Sequence, residues 1–255
     1  MSAETLDWSI LWPALLAGLL VLASHVPLGV EVLRRGIIFI DLAIAQFAAL
    51  GVIVAQLLDW DDPLAVQGAA AAAALAGAML LTLAERRWPQ ILEALIGLSF
   101  VLAASAGMLL LAGNPHGGEH LKDLLGGQIL WVGTRQLFSA AAVAAVVLLF
   151  WWRRQLTGRG FYLLFALAVT VSVQVVGVFL VFASLIAPAV ATRGMDGAGG
   201  AAPRRRLLAS LVLGAAGYAL GLLVSARYDL PSGSAIVCVM CLLALLALFM
   251  AGGED

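Results

Sequence analysis

The chain has 255 residues, of which 63% are hydrophobic and 11% are charged, and its net charge at pH 7 is −1. A soluble domain of this size carries much more charge, so the composition excludes a soluble enzyme. Apolar runs of about 15 to 22 residues recur between short polar turns, which is the length of a membrane-spanning helix. We therefore predict an all-α polytopic membrane protein in which residues 1–255 form a single transmembrane domain.

The apolar runs predict nine spans, at 11–32, 37–57, 64–83, 91–112, 136–152, 161–176, 178–193, 207–226 and 233–251. The tract from Val175 to Arg193 is interrupted at Gly177 and Pro188, so the pair 161–176 and 178–193 could instead be one broken helix plus a half-span. The expected number of transmembrane helices is therefore eight to nine.

The loop charges predict the orientation. With the N-terminus outside, eleven arginines fall in cytoplasmic turns and three basic residues fall in outer loops, as the positive-inside rule requires. The eleven are Arg34, Arg35, Arg86, Arg87, Arg153, Arg154, Arg159, Arg193, Arg204, Arg205 and Arg206, and the outer three are Lys122, Arg135 and Arg227. The acidic start lacks the basic region of a cleaved signal peptide, so we expect the first span to be retained.

Polar side chains interrupt the first two spans, between Leu22 and Gly51. His25 lies ten residues before Arg35 of the basic turn, and Gln46 lies ten residues after Gly36, where the turn ends. At 1.5 Å per residue both lie about 15 Å from the turn, near the middle of a bilayer. Asp41 lies about one helical turn nearer the cytoplasm. Ionisable groups at this depth are costly, so a substrate path is the first hypothesis.

Structural roles for these side chains remain open. His25 could donate a hydrogen bond to a backbone carbonyl that Pro27 leaves free. Asp41 could cap its helix or pair with Arg34 or Arg35 at the membrane edge.

The longest outer segment contains a second group of polar residues. His116, Glu119, His120 and Asp123 would share one face of a helix, and imidazole and carboxylate suit Zn²⁺ or Mn²⁺. A plain polar loop is the alternative. The spacing also matches the H-x-x-E-H pattern of a metalloprotease class, but the glycines at 117–118 argue against the firm helix which that chemistry needs.

Two short motifs allow structural interpretations. Cys238 and Cys241 lie in an apolar run, where packing is favoured over a metal or redox pair. Gly217 and Gly221 form a G-x-x-x-G in the eighth span, which is typical of close helix packing within one chain or between subunits.

Four segments in the same order resemble the permease subunits of the zinc and manganese ABC importer family. They are PLGVEVLRRG with IDLAIAQFAALG, HLKDLLGGQILWV, VQVVGVFLVFASLIAPAVAT, and DLPSG before the last span. These permeases are similar to a smaller version of the vitamin B12 and ferric-siderophore importers. The resemblance therefore implies a type II ABC-importer-like permease in the bacterial inner membrane, with its C-terminus in the cytoplasm.

The sequence departs from the family pattern in the second span. The family usually has an Asp-x-x-x-His pair there, followed by a glycine five residues later. Aligned on Gly51, the histidine position is Gln46 and the aspartate position is Leu42, with Asp41 one residue early. Either His25 supplies the missing imidazole, or metal passes without a tight site in the membrane.

A second departure concerns docking of the ATPase. The family usually has a longer cytoplasmic stretch after the fifth span, which forms the coupling helix. Here it is shortened to RRQLTGRGF, and we expect Arg153, Arg154, Arg159 and Phe161 to carry the coupling role. Sharing of that role with the loop from Arg193 to Arg206, or simple binding of lipid headgroups, are the alternatives.

The resemblance implies a function and a set of partners. We expect import of Zn²⁺, or next Mn²⁺, through a homodimer in the lipid bilayer, with a periplasmic metal-binding protein outside and no nucleic-acid partner. The only lysine, Lys122, lies in an outer loop, so the chain has no P-loop and ATP must bind a separate ATPase subunit. No cofactor is expected to be bound permanently. A permease for a metal chelate or cobalamin-like ligand, and a non-transporting scaffold or sensor, are the alternatives.

Overall fold

The computed structural model describes residues 8–60, 62–111, 127, 129–153, 160–195 and 202–251. These residues form nine α-helices and no strand. In chain order the helices are α1 (Trp8–Arg35), α2 (Ile40–Leu57), α3 (Pro63–Arg87), α4 (Leu92–Leu111), α5 (Thr134–Trp152), α6 (Gly160–Val176), α7 (Val178–Ala191), α8 (Ala202–Tyr228) and α9 (Ser232–Ala251). Short 3₁₀ turns lie at Pro89–Ile91, Ile129–Trp131 and Arg193–Met195.

The predicted all-α polytopic membrane fold is confirmed. Among the described residues seven helices are long and apolar enough to cross a membrane, and α6 and α7 are shorter apolar helices of 17 and 14 residues. The two predicted spans at 161–176 and 178–193 are therefore two separate helices. Gly177 separates them with φ 80°, a left-handed conformation that a side chain would make strained.

A tight turn joins α1 to α2. Gly36 follows the last residue of α1 with φ 69°. Its N–H donates to the carbonyl of Leu33 at 3.3 Å, and the N–H of Ile37 donates to the carbonyl of Val32 at 3.3 Å. These two bonds form a Schellman motif, which ends a helix at a fixed geometry. The direction of the chain into α2 is therefore set by local hydrogen bonds.

The alanine-rich helix α3 packs closely on α2, as its small side chains predict. Gly51 of α2 lies directly against the backbone of Ala69 and Ala70. Asp62 begins α3 by accepting a hydrogen bond from the N–H of Ala65 at 3.0 Å, and Pro63 occupies the first helical position. The end of the α2–α3 loop is thus encoded locally.

The G-x-x-x-G motif of α8 packs inside the chain. A Cβ at Gly217 would lie 3.0 Å from Cβ of Met240, and Gly221 lies against the backbone of Ile236, both in α9. Of the two interpretations left open by the sequence, the structure supports packing between helices of one chain. Cys238 and Cys241, also in α9, are both exposed.

The core lies around α1, α2, α6 and α7, which carry most of the buried side chains. Large apolar side chains on the outer helices are instead exposed: Leu102, Leu109, Phe138 and Phe249 are each more than 70% accessible. In water such surfaces would promote aggregation, whereas lipid tails solvate them without cost. The burial pattern therefore fits a helix bundle surrounded by a bilayer.

Candidate transport pathway

His25 lies in α1, and its side chain is fully buried. Its Nδ1 lies 3.0 Å from the carbonyl oxygen of Val21 and 2.9 Å from Oγ of Ser24. A carbonyl oxygen only accepts hydrogen bonds, so the contact with Val21 requires that Nδ1 carries the proton. The lone pair of the neutral imidazole is then on Nε2, for which no described residue provides a hydrogen-bond partner. Such a tautomer presents the nitrogen that ligates metal ions.

The backbone acceptor differs from the one that the sequence suggested. Pro27 removes the helical donor of the Ala23 carbonyl, but His25 donates to the carbonyl of Val21 instead. His25 therefore does not compensate for Pro27. Its hydrogen bond fixes the orientation of the ring and leaves Nε2 available.

His25 faces α7 and α8. It shares one stripe of α1 with Leu22 and Gly29, because residues three and four apart lie on the same side of a helix. Leu22 lies against Gly214 of α8, and Gly29 lies against the backbone of Leu185 of α7. The imidazole is therefore enclosed by the helices that pack on this stripe.

Asp41 lies in the first turn of α2 and is 1% exposed. Among the described residues neither carboxylate oxygen has a partner in good hydrogen-bond geometry, although the backbone N–H groups of Asp41 and Leu42 lie near enough to interact with it. The predicted ion pair with Arg34 or Arg35 is not formed, because both arginines bind Glu31. The position at a helix N-terminus favours a negative charge. Within the described part of the chain, Asp41 is therefore a buried carboxyl group without a side-chain partner.

Gln46 is also buried, with 7% of its surface exposed, but it faces a different way from Asp41. Five residues of α-helix place the two side chains about 140° apart around α2. Gln46 shares a stripe with Leu50 and Ile53, which lie against Gly107 of α4. Asp41 consequently faces away from α4, and the amide and the carboxyl group do not share one side of the helix.

The first two helices diverge after their turn. They make no extended contact with each other, and each packs instead against α6 and α7. Over the described ranges, no three His, Cys, Asp or Glu side chains come together as a metal site. The structure therefore does not unite His25, Asp41 and Gln46 in one coordination sphere, and their roles in transport stay predictions.

The other predicted site residues are only partly described. Six of them lie outside the described residues: His116, Glu119, His120, Asp123, Arg154 and Arg159. Arg153 directly follows the last residue of α5 and is exposed. Phe161 is fully buried at the start of α6, so its side chain offers no surface to a docking protein. A coupling role for Phe161 would have to act through its neighbours.

Two features of this region were missed by the sequence analysis. Glu31 binds both arginines of the turn, and its spacing of three and four residues from them was a usable signal. Glu93 of α4 accepts a hydrogen bond from the N–H of Phe39 at 3.3 Å and so caps the N-terminus of α2. No local pattern predicts that second contact, since 54 residues separate its partners.

The profile of the ABC 3 transport family matches residues 7–161 and 153–251, which is nearly the whole chain. The chain belongs to the ABC 3 transport family. The predicted identity as a permease subunit of the zinc and manganese ABC importer family is thereby confirmed. Membership in the ABC 3 transport family implies a multi-pass transporter permease subunit that works with ATPase and substrate-binding partners.

Two solved structures are similar to this ABC 3 permease. PsaBC from Streptococcus pneumoniae in complex with Fab has a TM-score of 0.74 and 24% identity, over 94% of this chain and 91% of that one. A structure described as a metal-chelate type ABC transporter in an inward-facing conformation has a TM-score of 0.65 and 16% identity, over 98% and 91%. Both support the type II ABC-importer-like fold. No curated protein matches the sequence.

Proposed function

We propose that this ABC 3 permease moves a bare divalent metal ion inward, Zn²⁺ first and Mn²⁺ next, by alternating access. The observation that carries the proposal is a pair of buried ligand groups that no side chain in the described part of the chain binds through a hydrogen bond, Nε2 of His25 and the carboxyl group of Asp41. An unsatisfied buried polar group costs stability, so its presence in the core suggests a partner that is bound only during transport.

The two groups would act in succession. His25 faces α7 and α8, and Asp41 lies in the first turn of α2, so a cation would meet them one after the other. A transport path must hold its ion weakly enough to release it, and one ligand at each step suits this better than a complete coordination shell. Gln46 would contribute only a weak amide ligand on the α4 side.

The full importer would contain further subunits. A second copy of the chain would complete the pathway, with the N-termini outside and the C-termini in the cytoplasm of a bacterial cell. A periplasmic metal-binding protein would deliver the ion to the outer segment, where His116, Glu119, His120 and Asp123 offer imidazole and carboxylate ligands. ATPase subunits would dock on the cytoplasmic side near Arg153, Arg154 and Arg159 and hydrolyse ATP there.

A metal chelate or cobalamin-like compound is the second candidate substrate. The description of one structural neighbour as a metal-chelate type transporter favours it, and so does the lack of a three-residue metal site in the described part of the chain. A chelate brings its own ligands and would need few from the protein. A scaffold or sensor without transport is the remaining alternative, and it would not purify with an ATPase.

Metal-dependent ATP hydrolysis tests the proposal. The permease, its ATPase and its binding protein are reconstituted in lipid, and the hydrolysis rate is measured with Zn²⁺, with Mn²⁺ and with a metal chelate. The proposal predicts stimulation by a bare ion that is lost when His25 is replaced by Asn. Stimulation by the chelate alone would support the second candidate, and no ATPase association would support the scaffold.

A further inference from the structure

Arg35, the last residue of α1, is held by contacts with two other helices as well as its own. Its Nε donates to Oε1 of Glu31 at 2.7 Å, and its Nη1 lies 3.6 Å from Oε1 of Glu85 near the end of α3. Its guanidinium carbon lies 4.4 Å from the ring centre of Phe161 and 5.8 Å from that of Tyr162, both in the first turn of α6. One side chain thus joins the ends of α1 and α3 to the start of α6.

The aromatic side of this junction is firmly packed. Phe161 and Tyr162 are 0% and 1% exposed, and their rings meet edge to face with centres 5.5 Å apart. Phe165 packs on Phe161 at the same centre-to-centre distance. A planar guanidinium stacks on such a ring and still forms directed hydrogen bonds with a carboxylate, which a lysine ammonium cannot do.

The neighbouring Arg34 provides a contrast. It binds the same Glu31 through two hydrogen bonds of 2.7 and 2.8 Å, but its side chain is 63% exposed, against 15% for that of Arg35. Among the described residues, Arg35 and not Arg34 lies over the rings of Phe161 and Tyr162. The two arginines therefore share a charge and a partner, and only Arg35 connects different helices.

The junction lies between two functional parts of the permease. On one side α6 begins directly after the cytoplasmic stretch 153–159, where we place ATPase docking. On the other side the Schellman turn at Gly36 leads, five residues later, to Asp41 in the first turn of α2. A displacement of α6 would therefore reach Asp41 through the stacked guanidinium and the rigid turn.

We infer that Arg35 is a positioning residue that transmits movement of the start of α6 to the start of α2, and so couples ATP use to the position of Asp41. The inference rests on the proposed function only for the docking site of the ATPase. It does not depend on which substrate is carried. It would also give the buried Phe161 a role in coupling that needs no contact with the ATPase.

The test uses the reconstituted permease–ATPase complex without any substrate. Leu42 is replaced by Cys in a background in which Cys238 and Cys241 are replaced by Ala, and the reactivity of the new thiol with a maleimide is measured with and without ATP. Arg35→Ala is compared with the matched control Arg34→Ala, and ATP hydrolysis is followed in parallel. If Arg35→Ala fails to assemble, Arg35→Lys and Phe161→Leu are used, since each keeps the local packing and removes the stack.

ATP should change the thiol reactivity in the parent and in Arg34→Ala. In Arg35→Ala, Arg35→Lys or Phe161→Leu the change should shrink roughly fivefold or more while ATP hydrolysis continues. A response equal to that of Arg34→Ala would overturn the inference, as would a parallel loss of hydrolysis and response, which indicates a purely structural role. Failure of Zn²⁺ and Mn²⁺ to stimulate hydrolysis would count against the proposed substrate and not against Arg35.

Discussion

Replacement of Asp41 by Asn should stabilise the permease and stop its transport. The carboxyl group is 1% exposed, and the residues that the structure describes offer neither oxygen a partner in good hydrogen-bond geometry. Each unsatisfied buried group costs about 1–3 kcal/mol, and more when it is charged. Asn keeps the shape of the side chain and leaves its two polar atoms without partners, but it carries no negative charge, so the free energy of unfolding should rise by about 1 kcal/mol.

The effect is large enough to measure. For a chain of this length a gain of that size corresponds to an increase in Tm of roughly 2 to 4 °C, which thermal unfolding of the purified protein in detergent resolves. Metal-stimulated ATP hydrolysis should fall about tenfold or more in the same variant, because the cation loses a charged ligand in a medium of low dielectric constant. The control is Asp59→Asn at an exposed carboxylate, which should change the free energy of unfolding by less than about 0.5 kcal/mol.

Two results would refute this reasoning about Asp41. A lower Tm would mean that the carboxylate makes a stabilising interaction in the folded protein. Unchanged metal stimulation would mean that the ion does not use this side chain. The combination of higher stability and lost activity is what a functional group in the core predicts.

Three further variants test other parts of the structure. His25→Asn keeps a donor for the Val21 carbonyl, so the Tm should be nearly unchanged. The variant lacks Nε2, so metal uptake should fall about tenfold. Metal uptake equal to that of the parent would show that His25 is not part of the pathway. Gly221→Leu should lower the free energy of unfolding by about 2 kcal/mol or more, because Ile236 occupies the space that the new side chain needs. The control Gly68→Ala should be neutral or stabilising, because a Cβ at Gly68 meets no atom within 4 Å. Similar Tm values for the two variants would contradict the α8–α9 packing. Asp62→Ala should cost about 1 kcal/mol through the lost cap of α3, and an unchanged denaturation midpoint would show that the cap contributes nothing.

Much of the fold could be predicted because membrane-spanning helices can be recognised in a sequence by their length and hydropathy. The structure extends the first span to Trp8–Arg35 and starts α8 at Ala202, since polar ends continue a helix beyond the hydrocarbon region. The pair α6 and α7 was ambiguous because neither helix reaches the usual spanning length, and only the conformation of Gly177 separates them.

The candidate site was harder to predict for a geometric reason. Counting residues from the turn gave the depth of His25, Asp41 and Gln46, and all three are buried. Counting residues does not show which neighbouring helix each side chain faces. The divergence of α1 and α2, and the 140° between Asp41 and Gln46, depend on tertiary packing that no local pattern encodes.

The most direct test of the account is uptake of radioactive Zn²⁺ and Mn²⁺ by proteoliposomes that contain the complete importer and ATP. The account predicts accumulation of at least one ion by the parent, and loss of that accumulation when His25 and Asp41 are both replaced by Asn while ATPase subunits remain bound. Accumulation by the double variant at the parent's rate would contradict it, because the ion would then cross the membrane without either buried group.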